Sequence, residues 1–250
     1  VVTFANLGLI VVDEEQLFGV RQKEGLKSAS ADLLLLSATP IPRTSALHAL
    51  TEGFRTLSNL TTPPPGRLAV RTVVCERDNA QVVRAVQAEL ARGGQVFYVV
   101  PWIEMVQGEV DLLCHHVPNV RIVMAHSDLS DLSLRIASFQ RGEVDVLVAT
   151  TVVECGISIA RANTIIVQEA VRAAMIRTPS THHPISAPTS VRSISRWQHL
   201  LGLSTLHQLR GRVGRSSVQA HAYLMHPPGL GSKALQRLHV MQEESELGAG

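Results

Sequence analysis

Residues 79–100, NAQVVRAVQAELARGGQVFYVV, carry the pattern that decides the fold. The apolar side chains of the first half recur at the period of an α-helix, at Val82, Val83, Val86 and Leu90. A Gly-Gly turn then leads into residues 95–100, which are continuously apolar after Gln95. Strands of parallel sheets are typically such runs, because helices cover both faces of the sheet. The segment therefore predicts a helix over 79–91 followed by a buried strand.

The same alternation extends in both directions along the chain. Further apolar runs typical of fully buried strands lie at residues 7–12, 33–36, 120–124, 144–149 and 164–167. A second helical period covers residues 130–141. Strands and helices that alternate at this spacing predict right-handed crossovers and a doubly wound α/β fold.

The composition excludes several classes of protein. With 45% hydrophobic and 18% charged residues over 250 positions, the chain is typical of a globular protein. No apolar run approaches the roughly 20 residues that a membrane-spanning helix needs, so we expect no membrane partner. The three cysteines, Cys75, Cys114 and Cys155, are too scattered to predict a zinc site or a disulfide framework. Residues 1–4 lack the pattern of a leader, and we interpret them as a cut point.

Breaks in the pattern predict the domain organisation. Three consecutive prolines lie within residues 61–67, which we interpret as a linker. Residues 1–60 then form a first α/β lobe that is too short to close a sheet of its own. Residues 68–227 form a second lobe, and a terminal helix lies within residues 228–250 after a Pro-Pro-Gly break.

Residues 172–202 interrupt the second lobe. They are rich in Pro, Ser and Thr and show neither a helical nor a strand period. Two interpretations stay open, an inserted loop and a translated intron. His182 and His183 lack further ligand-type residues at metal spacing, which favours a solvated pair over a metal site.

Charge is distributed unevenly. Residues 170–242 contain no Asp or Glu, although nine arginines and lysines fall there. This asymmetry favours a polyanionic partner, either nucleotide phosphates or a nucleic-acid backbone. A basic surface loop without a partner is the alternative.

The densest part of this basic region is residues 208–215, QLRGRVGR. The guanidinium groups of Arg212 and Arg215 are suited to bidentate capture of phosphate oxygens. Glycines at this spacing let the backbone come close to a ligand. The alternative is a solvated basic turn.

Polar residues follow two of the predicted strands directly. Asp13 and Glu14 come after the first strand, and Ser37 and Thr39 come after the second. The carboxyl edge of a parallel sheet is where α/β proteins bind ligands. One carboxylate there can hold Mg²⁺ through its water shell while its neighbour orients or deprotonates a water molecule. Each pair taken alone is equally compatible with a solvated turn.

Four segments together resemble a known family. They are Asp-Glu-Glu-Gln (13–16), Ser-Ala-Thr-Pro-Ile-Pro-Arg-Thr (37–44), Thr-Thr-Val-Val-Glu-Cys-Gly-Ile (150–157) and Gln-Leu-Arg-Gly-Arg-Val-Gly-Arg (208–215). They occur in the order of motifs II, III, V and VI of superfamily 2 helicases. The sequence around them resembles the motor domains of transcription-repair-coupling factors. The RecG-type branch-migration helicase is a near relative of these proteins.

The resemblance implies two RecA-like doubly wound parallel-sheet lobes, the first incomplete here, with ATP and Mg²⁺ bound between them. By motif position, Asp13 is the carboxylate that holds Mg²⁺ through water, and Glu14 activates the attacking water. Arg212 and Arg215 are arginine fingers, and Gln208 senses the nucleotide. The family's further nucleotide contacts fall on Gly156 and Ser158, and its coupling residues fall on Ser37 and Thr39.

The resemblance also implies double-stranded DNA as a partner. Its DNA-contacting positions fall on Thr150, Thr151 and His126. RNA polymerase is a further partner, through parts that are not on this chain. Residues 228–250 resemble the start of a translocation hairpin. The compartment expected from the resemblance is a bacterial cytoplasm or a plastid.

Departures from the family pattern keep two alternatives open. No Gly-x-x-x-x-Gly-Lys-Ser/Thr phosphate loop occurs in the sequence, so its family position falls before Val1 and we expect this chain alone to be inactive. Ser158 stands where the family usually has Asp. Leu17 replaces a usual Arg, and Ser127 replaces a usual Gly. The alternatives are a RecG-type helicase and a nucleic-acid-binding remnant that does not hydrolyse ATP.

Overall fold

The computed structural model describes residues 5–13, 31–36, 56, 58, 66, 68–150, 161–170 and 203–243. The chain divides into two units, Val1–Thr61 and Thr62–Gly250, and each is described by itself. The predicted insertion at 172–202 and the last residues of the predicted hairpin lie outside the described residues.

The first unit contains two parallel strands, β1 (Leu9–Val12) and β2 (Asp32–Leu35). The prediction that both strands are fully buried is wrong. Leu9 and Val11 are 56% and 53% exposed, whereas Val12 is buried. Successive side chains of a strand point to opposite faces, so only one face of this small sheet is covered.

The second unit is built on a six-stranded parallel sheet, in the order β3-β8-β7-β4-β6-β5. Its strands are β3 (Arg71–Glu76), β4 (Gln95–Val99), β5 (Ile122–Ala125), β6 (Val146–Ala149), β7 (Ala162–Val167) and β8 (His221–His226). Its helices are α1 (Asn79–Ala91), α2 (Ile103–His116), α3 (Leu132–Gln140), α4 (Leu203–Arg210) and α5 (Ser232–Glu243). The predicted α/β fold with a parallel sheet is confirmed.

The central strand β4 separates two hydrophobic clusters. Tyr98 lies in the cluster that α1 and α2 cover, and Phe97 lies in the cluster that α3, α4 and α5 cover. Phe97 also meets Phe139 of α3 edge to face, with ring centroids 5.1 Å apart. Residues that alternate in this way point to opposite faces, which explains why the run 95–100 is continuously apolar.

Helix α1 begins and ends as its sequence predicts. The side chain of Asp78 accepts a hydrogen bond from the backbone N–H of Ala80 at 3.0 Å and caps the amino end. At the other end Gly93 adopts a φ of 75°, a conformation that favours glycine and stops the helix. These two signals place the helix at residues 79–91.

A buried carboxylate fastens the end of α1 to the amino edge of the sheet. Glu89 is 1% exposed and accepts hydrogen bonds from the Arg92 guanidinium and from the Thr164 hydroxyl of β7. Arg92 also donates to the backbone carbonyl of Gln219, ahead of β8, at 2.7 Å. A Cβ atom at Gly94 would lie 1.7 Å from Glu89 Oε1, so only glycine fits beside this carboxylate.

Replacing Gly94 by alanine is expected to destabilise the protein by about 1–3 kcal/mol, since the added methyl group displaces a buried, hydrogen-bonded carboxylate. Gly108→Ala is the matched control, because a Cβ there meets nothing within 4 Å in the middle of α2. That change should stabilise the helix by about 0.5–1 kcal/mol. Urea unfolding of both variants measures the difference, and equal free energies of unfolding would contradict the packing described.

We expect His221, at the amino edge of the sheet, to make the stability of the folded protein depend on pH. Burial lowers the pKa of His221 below its ordinary value, and the positive charges of Arg92 and Arg71 lower it further. As the pH falls below about 6.5, the unfolded chain binds a proton that the folded chain does not, so stability decreases. We expect the urea midpoint to fall between about pH 7 and about pH 5.5, and to fall less in His221→Gln. An equal fall in both proteins would show that other groups cause it.

Candidate nucleotide and nucleic-acid site

The arginine turn, residues 211–215, follows directly after helix α4. Its backbone continues the helix for one more turn, since Gly211 N–H donates to His207 O at 2.9 Å and Arg212 N–H donates to Leu209 O at 3.0 Å. Arg212 is only 7% exposed, whereas Arg215 is exposed. Gln208, on the last turn of α4, is half-buried. The turn therefore contains one buried arginine, Arg212, and one exposed arginine, Arg215.

Gly214 shapes this turn through its backbone conformation and its close packing. Its φ is 74°, which favours glycine, and a Cβ atom there would lie 2.9 Å from Val70 Cγ2 and 3.2 Å from Ala220 Cβ. The glycine thus allows close packing against the chain ahead of β3 and β8. A close approach of the backbone to a ligand stays a prediction at this position.

Arg210 fastens the arginine turn to the terminal helix. It is 8% exposed, and its Nη1 donates to the backbone carbonyl of Met241 at 2.9 Å. That carbonyl lies in the last turn of α5, where helix carbonyls have no intrahelical partner and attract positive charge. The sequence motif gives no sign that its first arginine is structural.

The carboxyl edge of the second sheet brings two predicted residues side by side. His126 follows β5 and Thr150 follows β6, and the backbone N–H of Thr150 donates to Ala125 O at 3.1 Å. Thr150 Oγ1 and His126 Nδ1 are both buried and have no hydrogen-bond partner in the described part of the chain. Polar atoms in this state are uncommon in folded proteins and favour a functional role.

The first unit contributes Asp13, which directly follows β1 and is exposed. A carboxylate at the carboxyl end of a parallel strand fits Mg²⁺, whose preferred ligands are oxygens. No cluster of three or more metal-ligating side chains occurs among the described residues. The remaining predicted site residues lie outside the described residues, namely Glu14, Ser37, Thr39, Thr151, Gly156 and Ser158.

Sequence reasoning missed a buried polar network at the same carboxyl edge. Glu109 of α2 accepts hydrogen bonds from Arg77 Nη2 and from the Tyr98 hydroxyl, both at 2.6 Å. The Tyr98 hydroxyl also lies 3.2 Å from Gln168 Oε1, at the end of β7. These residues are far apart in sequence and form no motif, so only the fold reveals the network.

Comparison with known proteins decides the family. The profile of the helicase conserved C-terminal domain matches residues 79–217, which is more than half of the chain and includes the arginine turn. The chain belongs to the helicase C-terminal domain family. The six-stranded parallel sheet of the second unit is accordingly a RecA-like helicase lobe.

Several known proteins are similar to this member of the helicase family over nearly its whole length. A chloroplastic ATP-dependent DNA helicase of Arabidopsis thaliana is 42% identical over 100% of this chain. The transcription-repair-coupling factor of Escherichia coli is 41% identical, also over 100%. RecG bound to a three-way DNA junction has a TM-score of 0.67 and 29% identity over 99% of this chain.

All three are much longer proteins. The chain spans 27%, 20% and 29% of their respective lengths. No helix within the described residues is long and apolar enough to cross a membrane.

Proposed function

We propose that this chain is part of an ATP-driven double-stranded DNA translocase of the transcription-repair-coupling type. The arginine turn carries the proposal, because Arg212 and Arg215 follow a helix at the position of the family's arginine fingers. Their positive charge stabilises the charge that develops on phosphate oxygens during phosphoryl transfer, an effect worth about 10³–10⁵-fold in rate. The similarity to the coupling factor of Escherichia coli supports this role.

ATP and Mg²⁺ are the cofactors in this proposal. Bound Mg²⁺ neutralises charge on the transferring phosphoryl group. Asp13 holds the ion through its water shell, and Glu14 orients the attacking water and accepts its proton. Gln208 senses the nucleotide, Gly156 and Ser158 contact it, and Ser37 and Thr39 couple hydrolysis to motion. A phosphate loop from another part of the full-length protein completes the site.

DNA binds along the carboxyl edge of the second sheet. Thr150, Thr151 and His126 serve as contacts to phosphates, which position the duplex without reading its sequence. The buried polar atoms of Thr150 and His126, which have no hydrogen-bond partner within the described residues, support this placement. RNA polymerase binds to other parts of the protein. The bacterial and chloroplastic relatives favour a bacterial cytoplasm or a plastid.

Steady-state ATP hydrolysis by a full-length protein that contains this chain tests the proposal. We expect duplex DNA to stimulate hydrolysis more than single-stranded DNA of equal length. Preferential stimulation by forked DNA would favour the RecG-type helicase. DNA binding that weakens steeply with salt, without any ATP turnover, would establish a nucleic-acid-binding remnant and overturn the proposal.

A further inference from the structure

A short turn at the end of β7 joins the two faces of the second sheet. The backbone N–H of Gln168 donates to Val99 O of β4, and that of Ala170 donates to Met225 O of β8, both at 2.9 Å. Gln168 is 2% exposed and lies on the side of α1 and α2. Ala170, two residues later, belongs to the hydrophobic cluster beneath α4. The turn 168–170 thus places one residue on each face of the sheet.

The middle residue of this turn is strained. Glu169 has a φ of 50°, a left-handed conformation that a residue other than glycine adopts at a cost of about 1–3 kcal/mol. Such a conformation persists only where its surroundings hold it. The backbone hydrogen bonds of Gln168 and Ala170 on either side help to hold it here.

On one face the turn is connected to helix α2. The Tyr98 hydroxyl carries one proton, and the charged Glu109 carboxylate at 2.6 Å is the stronger acceptor. Gln168 Oε1 lies 3.2 Å from the same phenol oxygen, within hydrogen-bond distance. Burial and the nearby Glu109 raise the pKa of Tyr98, so the phenol remains a donor at neutral pH. A continuous polar chain links Gln168, Tyr98 and Glu109.

Helix α2 in turn lies beside the strands that end at the proposed DNA site. Val106 and Leu113 of α2 pack in one cluster with Val146 and Val148 of β6, and β6 ends directly before Thr150. On the opposite face, Ala170 shares its cluster with Leu206 and Leu209 of α4 and with Val213 of the arginine turn. Residues 168–170 therefore lie between the cluster that includes α2 and the cluster that includes α4.

We propose that the hydrogen bond between Tyr98 and Gln168 transmits DNA binding from helix α2 to the arginine turn. Tyr98 is a positioning residue, since it acts through the turn 168–170 and touches neither nucleotide nor DNA. This proposal rests on the proposed function. The two-state element in this proposal is the strained turn 168–170. A shift of α2 either holds this turn in its left-handed conformation or releases it.

Tyr98→Phe in the full-length protein tests this path. With saturating duplex DNA we expect kcat for ATP hydrolysis to fall about tenfold, within the usual range for coupling between sites. The KM for ATP and the Kd for DNA should stay within about twofold, because no binding contact is removed. Tyr223→Phe is the matched control, since Tyr223 points to the same face of the sheet and its hydroxyl makes no hydrogen bond within the described residues.

A second variant, Gln168→Leu, removes the other partner of the hydrogen bond between Tyr98 and Gln168. It should show the same loss of kcat, and the double variant should lose no more than either single variant, because both changes remove one link. In the isolated 250-residue chain, hydrogen exchange at the amides of Gln168 and Ala170 should be faster in Tyr98→Phe than in Tyr223→Phe.

The outcomes separate this inference from the proposed function. If duplex DNA stimulates ATP hydrolysis by the wild type and kcat of Tyr98→Phe is unchanged, only the inference is overturned. Additive losses of kcat in the double variant would also overturn only the inference. A loss of DNA affinity at unchanged kcat would also overturn it, since the pair would then act in binding. A wild-type protein without DNA-stimulated hydrolysis overturns both.

Discussion

Arg212→Ala in the full-length protein is expected to lower kcat for DNA-stimulated ATP hydrolysis by about 10³-fold, because it removes the guanidinium group that, in the proposed function, stabilises the transferring phosphoryl group. The KM for ATP should change much less, since the interaction strengthens only in the transition state. Steady-state kinetics at saturating duplex DNA measure both quantities.

Arg84→Ala provides the control for this experiment. It also removes one positive charge from the second unit, but the Arg84 side chain is 67% exposed and forms only a loose ion pair with Asp78 at 3.6 Å. We expect its kinetics to match those of the wild type. A kcat for Arg212→Ala within about tenfold of the wild type would be too small a change for an arginine finger and would contradict that role.

Glu109→Ala is expected to cause the largest loss of stability, about 3–5 kcal/mol. The Glu109 side chain is 7% exposed, and its removal leaves Arg77 without its anion and the buried Tyr98 hydroxyl without its acceptor. Losing one member of a largely buried ion pair costs more than the pair itself contributes, because Arg77, whose side chain is 30% exposed, stays partly desolvated. Urea unfolding of the 250-residue chain measures the change.

Glu104→Ala on the same helix is the matched control. Glu104 is exposed in the first turn of α2, where a carboxylate interacts favourably with the helix dipole by about 0.3–1 kcal/mol. Equal destabilisation by the two variants would contradict the buried network. A Glu109→Ala protein as stable as the wild type would do so as well.

The fold of the second unit could be predicted largely because its signals are local. Helix α1 has its period, its capping aspartate and its terminal glycine within 16 residues, and the structure places it at the predicted bounds. Helix α2 and strand β3 were not predicted. Gly108 interrupts the helical pattern of α2, and β3 is an edge strand with polar residues at both ends.

The candidate site, like the fold, could be predicted only where its signals are local in the sequence. The motif identifies Arg212 and Arg215 by residue type and spacing, but it does not predict that Arg212 is nearly buried or that Arg210 binds the end of α5. The contact between Tyr98 and Gln168 depends on the pairing of β4 with β7 across 70 positions. Sequence patterns within one element carry no information about such a pairing, so the network follows only from the sheet topology.

Displacement of a third strand from a DNA triplex tests the central claim most directly, because a translocase that moves along a duplex strips that strand without separating the duplex. A full-length protein that contains this chain should displace the third strand when ATP is added, and its Arg212→Ala variant should leave the triplex intact. Rapid ATP hydrolysis by the wild type with the triplex left in place would contradict the account.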